Sequence, residues 1–447
     1  MKRKTLAALA GAMFLACGAA RADQGPVPAG VPHLDHVWVI MMENEPITSE
    51  VGNKDVPYIN YLYDKVANVA TNYYGVGHPS LTNYLEMVGG SNFGVRADDM
   101  PDWHSSTCQS TLAPTAADSI NYQILDQYHP VGQATVVCPI AGKGYDAATP
   151  AVDWVNEDYP AVLDPSQRTM ANGSWDIDGK MSLASAPTVG MTIADQLMHA
   201  GMSWKTYQQS LPLGGPDRVD YSDGVFTDNN DVGADAVTGA PMALQNAATQ
   251  SYITGSNPPA FGDPMVQLYA AKHDPFIYFR SIQDGPGRKN IVGFGGPRGL
   301  FADLRSGHVP NFSFIAPNQC NDQHGKGNAG GDCAGDALLY RGDVMVHRLV
   351  DAIQASPAWR HGHDAIVITW DENDYSAGIR NQVLTMVINN HPGPKVMDAT
   401  MYTSFSLLRT LEGGFGLPCL NHACDRDTAT MSALFASADG DDGYDRR

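Results

Sequence analysis

Three short stretches of this sequence set oxygen-bearing side chains directly after apolar runs. Glu43-Asn44 follows His36-Val37-Trp38-Val39-Ile40-Met41-Met42, Pro317-Asn318 and then Asp322 follow Phe312–Ala316, and Asp371-Glu372 follows the run at 365–370. Carboxylates and carboxamides are the hard oxygen ligands that Mg²⁺, Ca²⁺ or Mn²⁺ prefers. Taken singly, an acid after a strand is more often a helix cap or a solvated loop residue, so the weight rests on convergence. A fourth stretch, Gly75-Val76-Gly77-His78-Pro79, delivers Ser80 to an expected helix start. There its hydroxyl can meet a metal and an anionic phosphorus, while free backbone N–H groups and the helix dipole favour a negative transition state. On this stretch alone Ser80 reads first as an N-cap.

The elements that must position these groups follow from the apolar pattern. The runs at 36–42, 312–316 and 365–370 are short and continuously or largely apolar, as buried parallel strands are, and 69–74 and 203–207 add further strand stretches. Helical patterns fall at 56–66, 192–200, 265–272 and 343–355. Strands alternating with helices predict an α/β fold with a mainly parallel sheet covered on both faces, and ligands in such sheets gather at the carboxyl ends of the strands. Residues 92–190 are rich in Gly, Pro, Asp and Ser and read as a cap or insertion within one domain spanning 23–447.

The amino terminus carries Lys2-Arg3-Lys4, an apolar run over 5–16 and the small-residue site Ala20-Arg21-Ala22, the pattern of a secretory signal peptide ending at residue 22. The run is too short to span a bilayer, and no later stretch is long and apolar enough. Phe14-Leu15-Ala16-Cys17 loosely resembles a lipoprotein cleavage box, which leaves a lipid anchor at Cys17 as the alternative to simple cleavage; either way the expectation is export, to the periplasm or beyond the cell. The formal charge of −20 argues against nucleic acid as a partner, which would need Lys and Arg to displace counterions. It leaves an anionic substrate dependent on local positive charge, which a metal can supply. Beyond Cys17 stand Cys108, Cys138, Cys320, Cys333, Cys419 and Cys424, an even number that suits three disulfides in an oxidising compartment. Sequence proximity favours pairs 108–138, 320–333 and 419–424.

Together, His36 to Asn44, His78-Pro79-Ser80-Leu81-Thr82-Asn83-Tyr84-Leu85, Thr369-Trp370-Asp371-Glu372 and Ser406-Leu407-Leu408-Arg409-Thr410-Leu411-Glu412 resemble, in order, the signatures of the bacterial phosphoesterase family of acid phosphatases and phospholipases C. The resemblance covers most of the chain and implies an alkaline phosphatase-like α/β/α sandwich. It implies that Glu43, Asn44, Asp371 and Glu372 bind one divalent metal (Mg²⁺, Ca²⁺, Mn²⁺ or Zn²⁺) together with Ser80, the nucleophile, Thr82 being the poorer candidate. Lys272-His273-Asp274-Pro275-Phe276 resembles the family's H-N-P-F segment and puts His273 on the phosphate site. Asn318, Asp322 and His324 fall in another active-site stretch, with Asn44, Asn318 and Asp322 contacting substrate and His273 or His324 serving proton transfer.

The chain departs from the family at Glu45, Gln382 and Ser404-Phe405, where relatives commonly carry histidine, or arginine in the first case. These departures change the phosphate contacts that the resemblance implies. The expected activity is hydrolysis of a small phosphate monoester through a phosphoserine. A phospholipase C or other diesterase shares the same residues, but the chain ends soon after the last signature, which favours the compact phosphatase. A non-catalytic solute-binding protein would need neither the nucleophile nor the paired carboxylates. Oligomeric state is not readable from the sequence.

Overall fold

The computed structural model describes residues 24–78, 80–95, 98, 100–101, 136–145, 187–211, 252–253, 266–267, 269–325, 337–374 and 381–437. Its framework is a nine-stranded sheet. In chain order the strands are β1 (His36–Met42), β2 (Asn68–Tyr74), β3 (Trp204–Gln208), β4 (Ile291–Val292), β5 (Phe312–Ala316), β6 (Asp364–Trp370), β7 (Gln382–Asn389), β8 (Met397–Asp398) and β9 (Tyr402–Thr403). Across the sheet they run β4-β3-β5-β1-β6-β7-β2-β8, with β9 beside β2. Every pairing is parallel except those of β7 with β6 and β2, so β7 alone runs against the rest.

The continuous apolar runs become central strands because both faces of the sheet are covered. Val39 lies in register with Phe314 and Val367. On that face Phe314 meets the rings of Tyr84 and Phe276 edge-on. Trp38, one residue away and therefore on the opposite face, packs against Trp359. Two helical layers result. Helices α1 (Ser80–Gly89), α2 (Ile193–His199) and α5 (Ser404–Gly414) lie with the 3-10 turns Ala271–His273 and Pro275–Tyr278 on the Phe314 side. Helices α3 (Leu300–Ser306) and α4 (Ala337–Ala355) lie with Pro57–Tyr61 on the Trp38 side. This is the expected α/β sandwich around a mainly parallel sheet.

Local chemistry sets several element ends. Thr192 caps α2 in a reciprocal capping box with Asp195, which satisfies two otherwise orphaned N–H groups. The Asp343 carboxylate of α4 accepts the N–H groups of Tyr58 (3.2 Å) and Ile59 (2.7 Å), holding the short helix Pro57–Tyr61 from across the layer.

Two expectations need correction. The helix foreseen over 265–272 does not form: Val266–Gln267 pairs as a strand with Tyr252–Ile253, and the following residues make 3-10 turns instead. Pro275 keeps the two turns apart, because it biases the residue before it away from helix and Asp274 sits at φ −118°, ψ 82°. The helix foreseen over 56–66 divides into Pro57–Tyr61 and a π-helical turn, Leu62–Val66.

Residues 102–135 and 146–186 of the expected cap lie outside the described residues, while Phe93 and Val95 at its start and Val137 and Ile140 in its middle are part of the main core. Cys419 and Cys424 are joined by a disulfide. Cys138 and Cys320 are also disulfide-bonded, and their expected partners Cys108 and Cys333 lie outside the described residues. Among the described residues no helix is long and apolar enough to cross a membrane.

Candidate active site

The carboxyl ends of β1 and β6 lie side by side, since Met42 is in register with Trp370. Adjacent parallel strands therefore deliver Glu43 and Asp371-Glu372 to one spot. Backbone bonds lock this junction: Asp371 N donates to Met42 O (3.1 Å) and Glu43 N to Asp322 O (2.9 Å). Asn44 turns out of β1 at φ 21°, a conformation asparagine tolerates better than most residues, and its N–H donates to Asp371 Oδ1 at 3.1 Å.

Ser80 opens α1 opposite these strand ends. Its Oγ lies 3.0 Å from Glu43 Oε2 and 3.2 Å from Glu372 Oε1. A hydroxyl has one proton, so it serves one of these oxygens at a time unless a carboxyl is itself protonated. The loop before Ser80 is held by Asn83, whose Oδ1 accepts Val76 N–H (2.9 Å) and Gly77 N–H (3.0 Å) and whose Nδ2 donates to Gly77 O (2.8 Å) and Glu372 Oε2 (3.1 Å). Asn381 Nδ2 adds a bond to Gly77 O at 2.7 Å. Gly75 is required by contact: a Cβ there would stand 2.4 Å from Asp371 O and 2.7 Å from Asn381 Nδ2.

Histidines surround the carboxylates. His273 Nε2 lies 3.0 Å from Glu43 Oε1 and its Nδ1 3.4 Å from Asp322 Oδ2, ion pairs rather than aligned hydrogen bonds. Its ring stacks on Tyr84 at 5.3 Å. His78 Nδ1 lies 2.8 Å from Glu372 Oε2. His324 meets Gly325 O through Nδ1 at 2.7 Å and faces Lys272 Nζ through Nε2 at 3.4 Å. Lys272 in turn is paired with Asp98 Oδ2 at 2.7 Å.

The electrostatics follow from burial and sign. Burial pushes Asp371 and Glu372 well above the usual carboxylate range, and the neighbouring Glu43 charge adds to it. Burial likewise raises Asp322. Burial opposes the Glu43 charge too, but His273 beside it prevails and holds Glu43 below its ordinary value. Burial disfavours protonated His273, yet Glu43 and Asp322 outweigh it and lift the imidazole to about 9. Burial and the Lys272 charge push His324 down to about 4.

A divalent cation fits the chemistry of this donor set. Asp371 Oδ2 is buried with no hydrogen-bond partner, and crowded buried carboxylates are raised by mutual repulsion, which a cation would relieve. Among the described residues no group of three or more His, Cys, Asp or Glu side chains is already gathered at ligating geometry.

Of the residues singled out in the sequence, Glu43, Ser80, Asp371, Glu372, His273 and Asp322 form one contact network, with Asn44 joined through its backbone and His324 through its N–H to Asp322 Oδ1 (2.9 Å). Asn318 is committed to its own loop and to the segment after β3: its amide bonds Cys320 N and Ser210 Oγ, and its N–H donates to Gln209 Oε1. Gln382 Nε2 is bonded to Thr71 O, and Phe405 packs beside Val76 and the His422 ring. His78, Asn83, Lys272 and Asp98 were not singled out. The first three lie within quoted stretches, so adjacency to Ser80 and His273 was their signal; Asp98, in a loop-like stretch, had none.

The model of the family described as "Phosphoesterase family" matches residues 49–418. A phosphatidylinositol-3-phosphatase of Mycobacterium tuberculosis is 20% identical over 407 residues, covering 91% of this chain and 85% of the relative. A phosphate-repressible acid phosphatase of Penicillium chrysogenum is 23% identical over 272 residues, covering 59% of this chain and 52% of that protein, so the chain spans about half its length. Among solved structures, a protein in the alkaline phosphatase superfamily from Vibrio parahaemolyticus superposes with TM-score 0.40 at 11% identity, covering 90% of this chain and 71% of the other. At that looseness the sheet's own topology defines the fold. The family match spans most of the chain, including both Ser80 and the Asp371-Glu372 pair, and the chain therefore belongs to the Phosphoesterase family, enzymes that hydrolyse phosphate esters.

Proposed function

We propose that this chain is an exported, metal-dependent phosphomonoesterase of acid-phosphatase type in which Ser80 is the nucleophile and carries the phosphoryl group as phosphoserine. The observation that carries the reading is Ser80 Oγ at the start of α1, within 3.2 Å of carboxylates from two neighbouring strand ends, Glu43 and Glu372. Glu43, Asn44, Asp371 and Glu372 would hold one divalent ion with Ser80. When bound, that ion lowers the pKa of the hydroxyl and neutralises charge developing on phosphoryl oxygens.

The protein's own groups supply the rest. Ser80 Oγ bonds to phosphorus as the bond to the ester oxygen breaks, and its proton passes to Glu43 Oε2 or Glu372 Oε1. His273, held protonated between Glu43 and Asp322, provides the proton that the leaving oxygen takes up, and His324, pushed down by burial and the Lys272 charge, is the poorer donor. Water then attacks phosphorus, the bond to Ser80 Oγ breaks, inorganic phosphate departs and Ser80 regains a proton. Asp322, in this reading, orients His273, and Asn44 stands toward substrate, while the Asn318 amide, taken by Ser210 and Cys320, has no part in binding it.

The monoester preference is supported by the relatives named as phosphatases. Export is supported by the basic, apolar and small-residue succession over residues 2–22 and by the Cys419–Cys424 disulfide, a bond that persists in oxidising compartments. A single domain over 23–447 with an insertion at 92–190 is part of the same reading.

The test is turnover of p-nitrophenyl phosphate, bis-p-nitrophenyl phosphate and phosphatidylcholine, each with added divalent ions and with chelator. Hydrolysis of the first, lost with chelator, is expected. An acid quench followed by mass spectrometry should find phosphate on the peptide containing Ser80. Inactivity on all three substrates, or full activity of Ser80→Ala, would sink the proposal.

A further inference from the structure

The amide of Leu81 is the first N–H after the Ser80 side chain, at the end of a helix where N–H groups have no partner within the helix. It donates to Asp98 Oδ1 at 3.0 Å. The other oxygen of the same carboxylate takes the Lys272 ammonium at 2.7 Å. Lys272 immediately precedes His273, which is paired with Glu43, which in turn accepts from Ser80. One carboxylate thus bridges a backbone donor beside the nucleophile and a cation attached to the same network. A carboxylate and a phosphoryl group share an O–X–O edge, and both call for this kind of donor pair.

We propose that Leu81 N–H and Lys272 Nζ form a two-point clamp for phosphoryl oxygens beside Ser80, and that Asp98 occupies the clamp as an internal stand-in which the substrate must displace. This rests on the reading of Ser80 as nucleophile. Both Lys272 and Asp98 keep part of their side chains exposed, 17% and 26%, so an anion from solvent can reach them. Elsewhere the site is dominated by Glu43, Asp322, Asp371 and Glu372, which repel an incoming anion, and Lys272 is a fixed positive charge that answers it. The arrangement also discriminates. A monoester offers three nonbridging oxygens and a diester two, so filling both points of the clamp leaves a monoester one oxygen for the rest of the site and a diester none.

A structural role for Asp98, holding Lys272 in place for substrate, predicts the opposite sign from masking, and that difference makes the experiment decisive. Inorganic phosphate is titrated by calorimetry into the full-length protein as purified, in wild type, Asp98→Asn, Asp98→Ala, Lys272→Gln and the Asp98→Asn/Lys272→Gln double variant. Asp98→Asn keeps an acceptor for Leu81 N–H and removes the charge; Asp98→Ala empties the clamp. The expected result is phosphate binding tightened roughly tenfold in both Asp98 variants, as when a competing closed state is removed. Lys272→Gln weakens binding by a similar factor and cancels the gain in the double variant. Unchanged or weaker binding in both Asp98 variants overturns the proposal, as does a Lys272→Gln variant that binds phosphate like wild type. Ser80→Ala is titrated alongside: calorimetry reads the clamp without turnover, so failure of the nucleophile and failure of the clamp give different results.

Discussion

Asn83 and Glu372 are bound to each other across the site, the amide Nδ2 donating to Glu372 Oε2 at 3.1 Å while the amide oxygen takes the N–H groups of Val76 and Gly77. One side chain therefore ties the loop that delivers Ser80 to the strand end that carries a proposed metal ligand. Asn83→Ala leaves buried donors and acceptors without partners and is expected to cost about 1–3 kcal/mol of stability, read by chemical denaturation. Asn83→Asp sets a carboxylate against Glu372 and cannot donate to it, so turnover should fall more steeply than in the alanine variant.

Gly75 stands where a single methyl group would meet backbone. Its substitution by alanine pushes against Asp371 O, which is backbone, and the Asn381 amide, which is pinned to Gly77 O. The expected effect is overpacking strain of about 1–3 kcal/mol, seen as a lowered melting temperature, together with a loss of turnover larger than the loss of folded protein.

Asp371 offers the cleanest test of the proposed ion. In Asp371→Asn the retained amide oxygen can still accept Asn44 N–H, while the unpartnered Oδ2 becomes an NH₂ group that binds no cation. The half-saturating divalent-ion concentration of chelator-stripped protein, followed by calorimetry or tryptophan fluorescence, should rise by at least roughly tenfold, with the fold retained. An unchanged titration would remove Asp371 from the ligand set.

Glu412 gives stability a pH dependence away from the site. Burial pushes its carboxyl well above the ordinary value of 4.5, against a smaller pull from Arg409, and its Oε1 accepts Leu420 N–H at 2.8 Å. A carboxyl raised in the folded state contributes stability that is full below its unfolded pKa and lost as pH rises toward its folded pKa. Glu412→Gln keeps the acceptor and removes the titration, so the decline in melting temperature from about pH 4.5 upward should be shallower in the variant than in wild type.

The sheet was legible because its central strands are apolar on both faces, and the site because oxygen-bearing residues sit at their carboxyl ends. Position relative to β1, β5 and β6 was enough to gather Glu43, Asp322, Asp371 and Glu372. What sequence could not supply was orientation. Asn318 occupies the right strand end, yet its amide turns back onto Ser210 and Cys320. Lys272 and Asp98 lie far apart in sequence and meet only in three dimensions. The strand β7 was not foreseen, although residues 383–388 are largely apolar, since a lone antiparallel strand breaks the helix–strand alternation.

The placement of β1 between β5 and β6 has a kinetic consequence. This strand hydrogen-bonds on both sides to strands far along the chain, Val37 with Phe312 and His36 with Asp364. Contacts of such long sequence separation form slowly and leave an apolar segment without its partners for most of synthesis. Neither the Glu43–Asp371 junction nor the cradle around Ser80 can exist on a partial chain. Activity should therefore appear late and all at once during refolding, lagging behind secondary structure, and nascent fragments should depend on chaperone protection while remaining inert.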